Sequence, residues 1–280
     1  MITDTHVHFY DPSRPQGVPW PPKDNKLLYR TVLPEHYKAL AEPEGVTGVV
    51  VVEASVWLED NAWVLGLAAS DPFILGLVGH IDPGRSEFAQ ELARFARNPL
   101  LRGIRCGGRY FQNVEQGRFL DDLELLASKD LELDVLIRSE QVDELVKVAQ
   151  HLPELRVVVN HIAHMPIDGL AVSPGWIASY ARLAGEPRIY IKVSALMENS
   201  VVQPAPADVD FYRPLLDTLW DAFGEDRLIY GSNWPVCERA GDFGRGIRIL
   251  KAYFEEKGQM AYDKYFWRNS QAAYRWQARK

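Results

Sequence analysis

The feature that most constrains the fold is a series of short apolar runs that recur along the whole chain. They are spaced at about thirty residues, the length of one strand-helix unit. Most carry consecutive Val, Ile and Leu residues, as in "RVVVNHI" and "GVVVVEA". Consecutive apolar residues indicate strands buried on both faces, as in a parallel sheet. The predicted strands are Thr3–Phe9, Thr47–Ser55, Phe73–Ile81, Leu100–Cys106, Leu131–Arg138, Leu155–His161, Arg188–Ala195 and Arg227–Ser232.

Amphipathic helical patterns lie between these strands. Ser86–Asn98 places its apolar residues on one face, with Ser86 as the predicted N-cap. Similar patterns cover Ser139–His151, Pro214–Phe223 and Tyr265–Arg279. This strand-helix alternation predicts an α/β fold, a distorted, TIM-like (β/α)₈ barrel forming a single domain over residues 1–280. A doubly wound open sheet is the alternative.

Residues 9–34 depart from this rhythm because they are rich in proline. Proline at this density disfavours both helix and central strand, so the segment is predicted to be a long loop after the first strand. In a barrel, such a loop lies over the C-terminal face, where active sites are built. It would act as a lid, with Trp20 contacting the substrate, or as an ordered surface wrap.

Charge and composition exclude several classes of protein. The net charge of −7 argues against a nucleic-acid surface, which needs clustered positive charge. No stretch resembles a secretory signal or a membrane span. The two cysteines are too few to staple a chain of this length, so the predicted location is the cytoplasm. The sequence does not indicate an oligomeric state.

Three histidines are the candidates for a reactive centre. His6 and His8 are two residues apart on a strand, so their side chains share one face. His161 is predicted to end the sixth strand, at the same rim of the barrel. Such imidazoles suit a divalent metal or a cluster that polarises a carbonyl group.

Five segments, in this order, resemble one known family: "DTHVHF", "LRGIRCG", "VVVNHIAHMP", "IYIKVSAL" and "LIYGSNWPVC". They are similar to the amidohydrolase-2 group of the amidohydrolase superfamily, especially its sugar-lactone and dicarboxylate-lactone hydrolases. The resemblance extends from residue 2 to about residue 276. It implies a distorted barrel that hydrolyses a small-molecule lactone with an activated water. Metal use varies within this group, so zinc or manganese is expected, with metal-independent action as the alternative.

The resemblance also implies roles for single residues. His6, His8 and His161 match the histidines of the family, and Arg105 matches a position suited to an anionic or hydroxyl-rich substrate. Its guanidinium can bind a carboxylate with two hydrogen bonds, or it can form a salt bridge within the barrel wall. Trp234 lies in the last motif and is also predicted to bind substrate. Lys192 is a cation within an otherwise apolar strand and needs a compensating partner, so it is predicted to bind substrate or to be structural.

The sequence departs from the family at Asn233. The last strand of the family usually reads Gly-Ser-Asp-Trp-Pro, and its aspartate is the expected metal ligand and general base. A carboxamide cannot take up a proton near neutral pH, although its oxygen can orient a water. The usual base is therefore missing from this chain.

Glu53 is the candidate to replace it. It ends the second strand within an otherwise apolar run, and a buried carboxylate is costly unless it is paired or bound to a cation. Glu53 is therefore predicted to be a metal ligand or a substitute base. The alternative is an ion pair with Arg105, Arg138 or Lys192, each on a predicted neighbouring strand.

The leading hypothesis is hydrolysis of a lactone or related cyclic ester of a sugar acid or dicarboxylic acid. His161, Asn233 and Glu53 are the predicted catalytic residues, and His6, His8, His161 and Glu53 the predicted metal ligands. Two alternatives remain. One is a metal-dependent decarboxylase of the same superfamily, and the other is a barrel that binds a small molecule without catalysis.

Overall fold

Eight parallel strands pair with one another in chain order in the computed structural model, which describes residues 1–279. The strands are β1 Ile2–Val7, β2 Val46–Val52, β3 Ile74–Gly79, β4 Leu101–Gly107, β5 Glu132–Leu136, β6 Val157–Val159, β7 Ile189–Val193 and β8 Leu228–Tyr230. Each lies within a predicted strand or within a residue or so of it. Almost every strand residue is buried, as the continuous apolar runs predict.

The eighth strand meets the first, so the sheet closes into a barrel. Val7 forms an isolated parallel bridge with Trp234, and the Thr5 hydroxyl donates to the Tyr230 carbonyl at 2.6 Å. Shifts of register between the first four strands and the three-residue lengths of β6 and β8 make the barrel irregular. The predicted distorted (β/α)₈ barrel is confirmed.

The helices surround the barrel. They are α1 Pro34–Ala41, α2 Asp60–Ser70, α3 Phe88–Phe95, α4 Phe119–Ser128, α5 Val142–His151, α6 Pro174–Gly185, α7 Val209–Phe223, α8 Phe243–Glu256, α9 Gln259–Asp263 and α10 Asn269–Tyr274. A π-helical turn at Lys264–Arg268 joins α9 to α10. No helix within residues 1–279 is long and apolar enough to cross a membrane.

Two helix starts differ from the prediction. Ser86 does not cap α3, because its hydroxyl bonds to the Glu87 carboxylate and the helix begins at Phe88 without a side-chain cap. Helix α7 begins five residues before the predicted Pro214, since the Asp208 carboxylate accepts from the Asp210 amide and supplies an N-cap. Sequence periodicity located both helices but not the residues that start them.

The proline-rich loop connects β1 to α1 and has no helix or strand of its own. Its two ends are joined where Tyr10 and Val32 exchange backbone hydrogen bonds of 2.8 and 3.0 Å. The Arg14 guanidinium ties the middle of the loop to Asp60 at 2.9 Å. These bonds hold the loop over the C-terminal ends of the strands.

Candidate active site

An open cavity of about 520 Å³ lies at the C-terminal ends of the strands, within the size range of small-molecule sites. Its wall contains most of the residues that the sequence singled out. Six of the predicted site residues line the cavity: His8, Trp20, Glu53, Arg105, His161 and Asn233. This is the face of a (β/α)₈ barrel on which active sites are built.

The three histidines form a compact cluster, in which His8 and His161 line the cavity and His6 is fully buried. The ring centre of His6 is 4.9 Å from that of His8 and 4.3 Å from that of His161. Burial, followed by the Arg105 guanidinium, lowers the pKa of His8 to about 3. Burial also holds the pKa values of His6 and His161 well below the usual range. All three rings are therefore neutral at physiological pH.

His161 lies beyond the sixth strand rather than at its end, which corrects the prediction. From His161 to His164 the backbone takes four successive left-handed conformations, with φ between 52° and 58°. This φ is unfavourable for a β-branched residue, yet it occurs at Ile162, whose carbonyl is held by the Tyr180 hydroxyl at 2.9 Å. Strained backbone of this kind clusters at functional sites.

Lys192 lies beneath the cluster and does not line the cavity, contrary to the prediction that it binds substrate. Its fully buried ammonium contacts three groups: the Thr5 carbonyl and the Asp134 carboxylate, each at 2.9 Å, and His6 Nδ1 at 3.3 Å. An ammonium can only donate, so His6 Nδ1 accepts and the ring proton of His6 lies on Nε2.

This tautomer does not suit a metal ligand. A ligating imidazole donates its second ring nitrogen to a carbonyl or carboxylate, as His8 Nδ1 does to the Val52 carbonyl at 3.0 Å. His6 instead faces a cation, and its buried Nε2 has no hydrogen-bond partner. Among residues 1–279, no group of three His, Cys, Asp or Glu side chains is arranged to hold a metal ion. In the arrangement of residues 1–279, the four predicted ligands therefore do not form a complete coordination set.

Glu53 pairs with Arg105, the alternative that the sequence left open. Arg105 Nε donates to Glu53 Oε1 at 2.8 Å, and a second guanidinium nitrogen donates to the Glu53 carbonyl at 2.9 Å. Both side chains are largely buried in the cavity wall. The pair makes this part of the wall electrically neutral.

The two predicted tryptophans have different places. Trp20 lies in the cavity wall with its ring 5.8 Å from that of His8, so the proline-rich loop does contribute to the site. Trp234 is fully buried behind the wall, where its indole donates to Glu238 Oε1 at 2.9 Å and its ring packs against Tyr37. Trp234 therefore does not line the cavity, contrary to the prediction that it binds substrate.

Glu198 is the cavity residue that the sequence analysis missed. It follows β7 in the segment "SALMENS", and its Oε1 accepts a hydrogen bond from Asn233 Nδ2 at 2.8 Å. Burial raises its pKa to about 7. The signal was a single carboxylate just past a strand end, where parallel strands of a barrel place active-site residues.

Ser194 is a second residue that the sequence did not single out. It follows the last residue of β7, and its buried hydroxyl lies 2.8 Å from His161 Nδ1. A hydroxyl at this nitrogen fixes the orientation of the ring, and it can pair with either tautomer because it both donates and accepts. The seventh strand thus supports the cluster twice, through Ser194 beside His161 and Lys192 beneath His6.

A family model described as amidohydrolase matches residues 3–276 of the chain. The chain therefore belongs to the amidohydrolase-2 family. The resemblance inferred from the strand motifs is thereby confirmed.

Three known proteins illustrate what this chain is similar to. An L-fucono-1,5-lactonase of Burkholderia ambifaria is 31% identical over 247 residues, covering 86% of this chain and 82% of the relative. A zinc-bound amidohydrolase from Burkholderia multivorans superposes with a TM-score of 0.86 at 23% identity, covering 99% of this chain and all of that one. A putative 2-pyrone-4,6-dicarboxylic acid hydrolase from Pseudomonas putida superposes with a TM-score of 0.79 at 19% identity, covering 98% and 97% of the two chains.

Proposed function

We propose that this protein hydrolyses the lactone of a neutral, hydroxylated sugar acid through attack of water on the lactone carbonyl. The observation that carries the proposal is the cluster of neutral histidines, two of which line an open cavity. The relative named for L-fucono-1,5-lactone hydrolysis supports the substrate class. The proposed reaction is the lactone hydrolysis predicted from the sequence, and the proposed substrate is restricted to uncharged lactones.

His161 polarises the carbonyl in this proposal. In this role the Ser194 hydroxyl, 2.8 Å from His161 Nδ1, donates to that nitrogen, and the ring then carries its proton on Nε2 and offers a neutral donor to the carbonyl oxygen. Burial keeps the ring from becoming charged, since it holds the pKa of His161 low. A fixed donor aimed at developing negative charge stabilises the tetrahedral intermediate without reorganisation.

The pairing of Arg105 with Glu53 favours a neutral substrate over a dicarboxylate. The Arg105 guanidinium would be the natural partner of a substrate carboxylate, but Glu53 already occupies it. We assign Glu53 to holding Arg105 in place, rather than to the base role expected from the sequence. The pair then offers hydrogen bonds to sugar hydroxyls, and Trp20 offers a flat apolar surface to the ring.

No step of this reaction runs through a metal ion. The zinc of the Burkholderia multivorans neighbour belongs to a chain that is 23% identical to this one. Here the proton on His6 Nε2 and the ion pair of Glu53 remove two of the four predicted ligands. We propose that histidine polarises the carbonyl directly, without the zinc or manganese expected from the resemblance.

The test is a panel of lactones assayed by proton release at pH 8, where each hydrolysis forms one carboxylate. We expect turnover of L-fucono-1,5-lactone and other neutral sugar lactones, and at least tenfold lower kcat/KM for 2-pyrone-4,6-dicarboxylate. A preference for the dicarboxylate would contradict the neutral substrate class. Carbon dioxide release from an unsaturated acid would favour the decarboxylase. Binding of a sugar acid without turnover of any lactone would favour the non-catalytic barrel.

A further inference from the structure

The starting point is the loss of the family aspartate at Asn233. A lactone hydrolase still needs a group that takes a proton from the attacking water. Within residues 1–279, the cavity wall contains two carboxylates, Glu53 and Glu198. Glu53 is bound to Arg105 at 2.8 Å. Glu198 has no ion-pair partner within the same described residues, and it is partly exposed to the cavity.

The position of Glu198 fits the missing function. Its Oε1 accepts from the amide of Asn233, the residue that stands where the family has its base. Asn233 lines the same cavity as His8 and His161, so it joins the carboxylate to the wall that contains these histidines. Glu198 also lines the same cavity as His161, so a water in the cavity can reach its carboxylate.

We propose that Glu198 is the general base of this enzyme and that Asn233 is the positioning residue that orients it. The role rests on the proposed lactone hydrolysis. The water oxygen forms a bond to the carbonyl carbon while one water proton passes to Glu198. The tetrahedral intermediate then breaks its bond to the ring oxygen, and Glu198 returns the proton to that leaving oxygen. The product is a hydroxy acid, which ionises in solution.

The surroundings of Glu198 set its titration. Burial is the main cause of its pKa of about 7, while the Asn233 amide and the Arg239 guanidinium favour the charged form. Cys237 and Tyr212 also face it, and the charge of Glu198 helps to raise the pKa of each. A base must be unprotonated to act, so kcat/KM should fall with a slope of one as the pH drops below about 7.

The backbone allows a decisive exchange of the two side chains. Asn233 has a φ of 62°, a left-handed conformation that both asparagine and aspartate adopt more readily than most residues. An aspartate can therefore occupy this position without new backbone strain. In Glu198→Gln/Asn233→Asp the amide and the carboxylate trade places across the same hydrogen bond of 2.8 Å.

The experiment compares Glu198→Gln with this exchanged variant. General-base removal typically lowers rates by about 10²–10⁴-fold, so we expect a loss of that size in kcat for Glu198→Gln. The acidic limb of its pH profile should also disappear. The exchanged variant should regain at least tenfold, because the introduced carboxylate is positioned by the introduced amide. Glu255→Gln, an exposed position on α8, serves as the control and should match the wild type.

A second readout does not require turnover. Folding raises the pKa of Glu198 from 4.5 to about 7, so the free energy of unfolding of the wild type falls as the pH rises through this window. An amide at this position does not titrate and causes no such loss. The Tm of Glu198→Gln should therefore exceed that of the wild type by more at pH 8 than at pH 5. This measurement also shows that the variant is folded.

Three results would overturn the role of Glu198. They are wild-type-like turnover in Glu198→Gln, an acidic limb that persists in that variant, and no regained activity in the exchanged variant. A wild-type chain that hydrolyses no lactone would instead refute the proposed function, and the base role with it. The pH-dependent difference in Tm separates these cases, because it reports the buried carboxyl in either one.

Discussion

Replacing Lys192 with methionine is expected to destabilise the fold by about 3–5 kcal/mol, the usual cost of removing one partner from a buried ion pair. The ammonium of Lys192 lies 2.9 Å from the Asp134 carboxylate, and both side chains are fully buried. Without it, Asp134 keeps the Tyr274 hydroxyl at 2.8 Å but loses its ion-pair partner, beside the buried carboxyl of Glu132. Urea unfolding followed by circular dichroism measures the loss.

Two further variants make this result specific. Lys192→Met/Asp134→Asn removes both charges, so it should recover much of the stability lost in the single variant. Lys147→Met removes an exposed partner of Glu144 on α5 and should cost less than about 1 kcal/mol. Equal losses in the free energy of unfolding for Lys147→Met and Lys192→Met would show that the buried pair stabilises the fold no more than the exposed pair does. A double variant no more stable than Lys192→Met would contradict the unpaired charge as the cause.

His161→Asn is expected to lower kcat on a neutral sugar lactone by about 10²–10³-fold, as removal of one oxyanion donor typically does. Asparagine tolerates the left-handed backbone at this position, where φ is 52°, so the variant should fold. Its shorter amide does not reach the place of the imidazole Nε2. Because the donor acts on the charge that develops in the transition state, KM should change much less than kcat.

Two comparisons complete this test. Ser194→Ala leaves the ring of His161 but removes the hydroxyl at Nδ1, and a loss of about tenfold is expected from the free tautomer. His151→Asn changes an exposed histidine at the end of α5 and should leave kcat unchanged. The polarising role of His161 is contradicted if His161→Asn keeps more than a third of the wild-type kcat, or if the loss appears in KM alone.

The barrel could be predicted from the sequence because the burial of a strand is evident from its own residue composition. A strand covered on both faces needs consecutive apolar side chains, and Val49 to Val52 satisfy this requirement without any information from other parts of the chain. The spacing of such runs then fixes the alternation with helices. The His6 and His8 pair was predictable for the same local reason, since strand geometry alone puts both rings on one face.

The failures have a common physical cause, which is that they depend on partners distant in sequence. The sequence identifies Lys192 only as a cation within a strand. Its contact with Asp134 on β5 shows that it is structural. The choice between an ion pair and a catalytic role for Glu53 depends on its contact with Arg105, which is 52 positions away in the sequence. Glu198 has no periodic signal because it lies beyond β7, and its importance comes from its contact with Asn233, which follows the neighbouring strand β8.

The most direct test of the central claim is turnover by metal-free protein. The wild-type chain is dialysed against EDTA, its metal content is measured by elemental analysis, and hydrolysis of L-fucono-1,5-lactone is followed against spontaneous hydrolysis without protein. Neutral histidines polarising the carbonyl predict undiminished kcat/KM with well under one equivalent of any metal. Loss of turnover on dialysis, restored by one equivalent of zinc or manganese, would contradict the account.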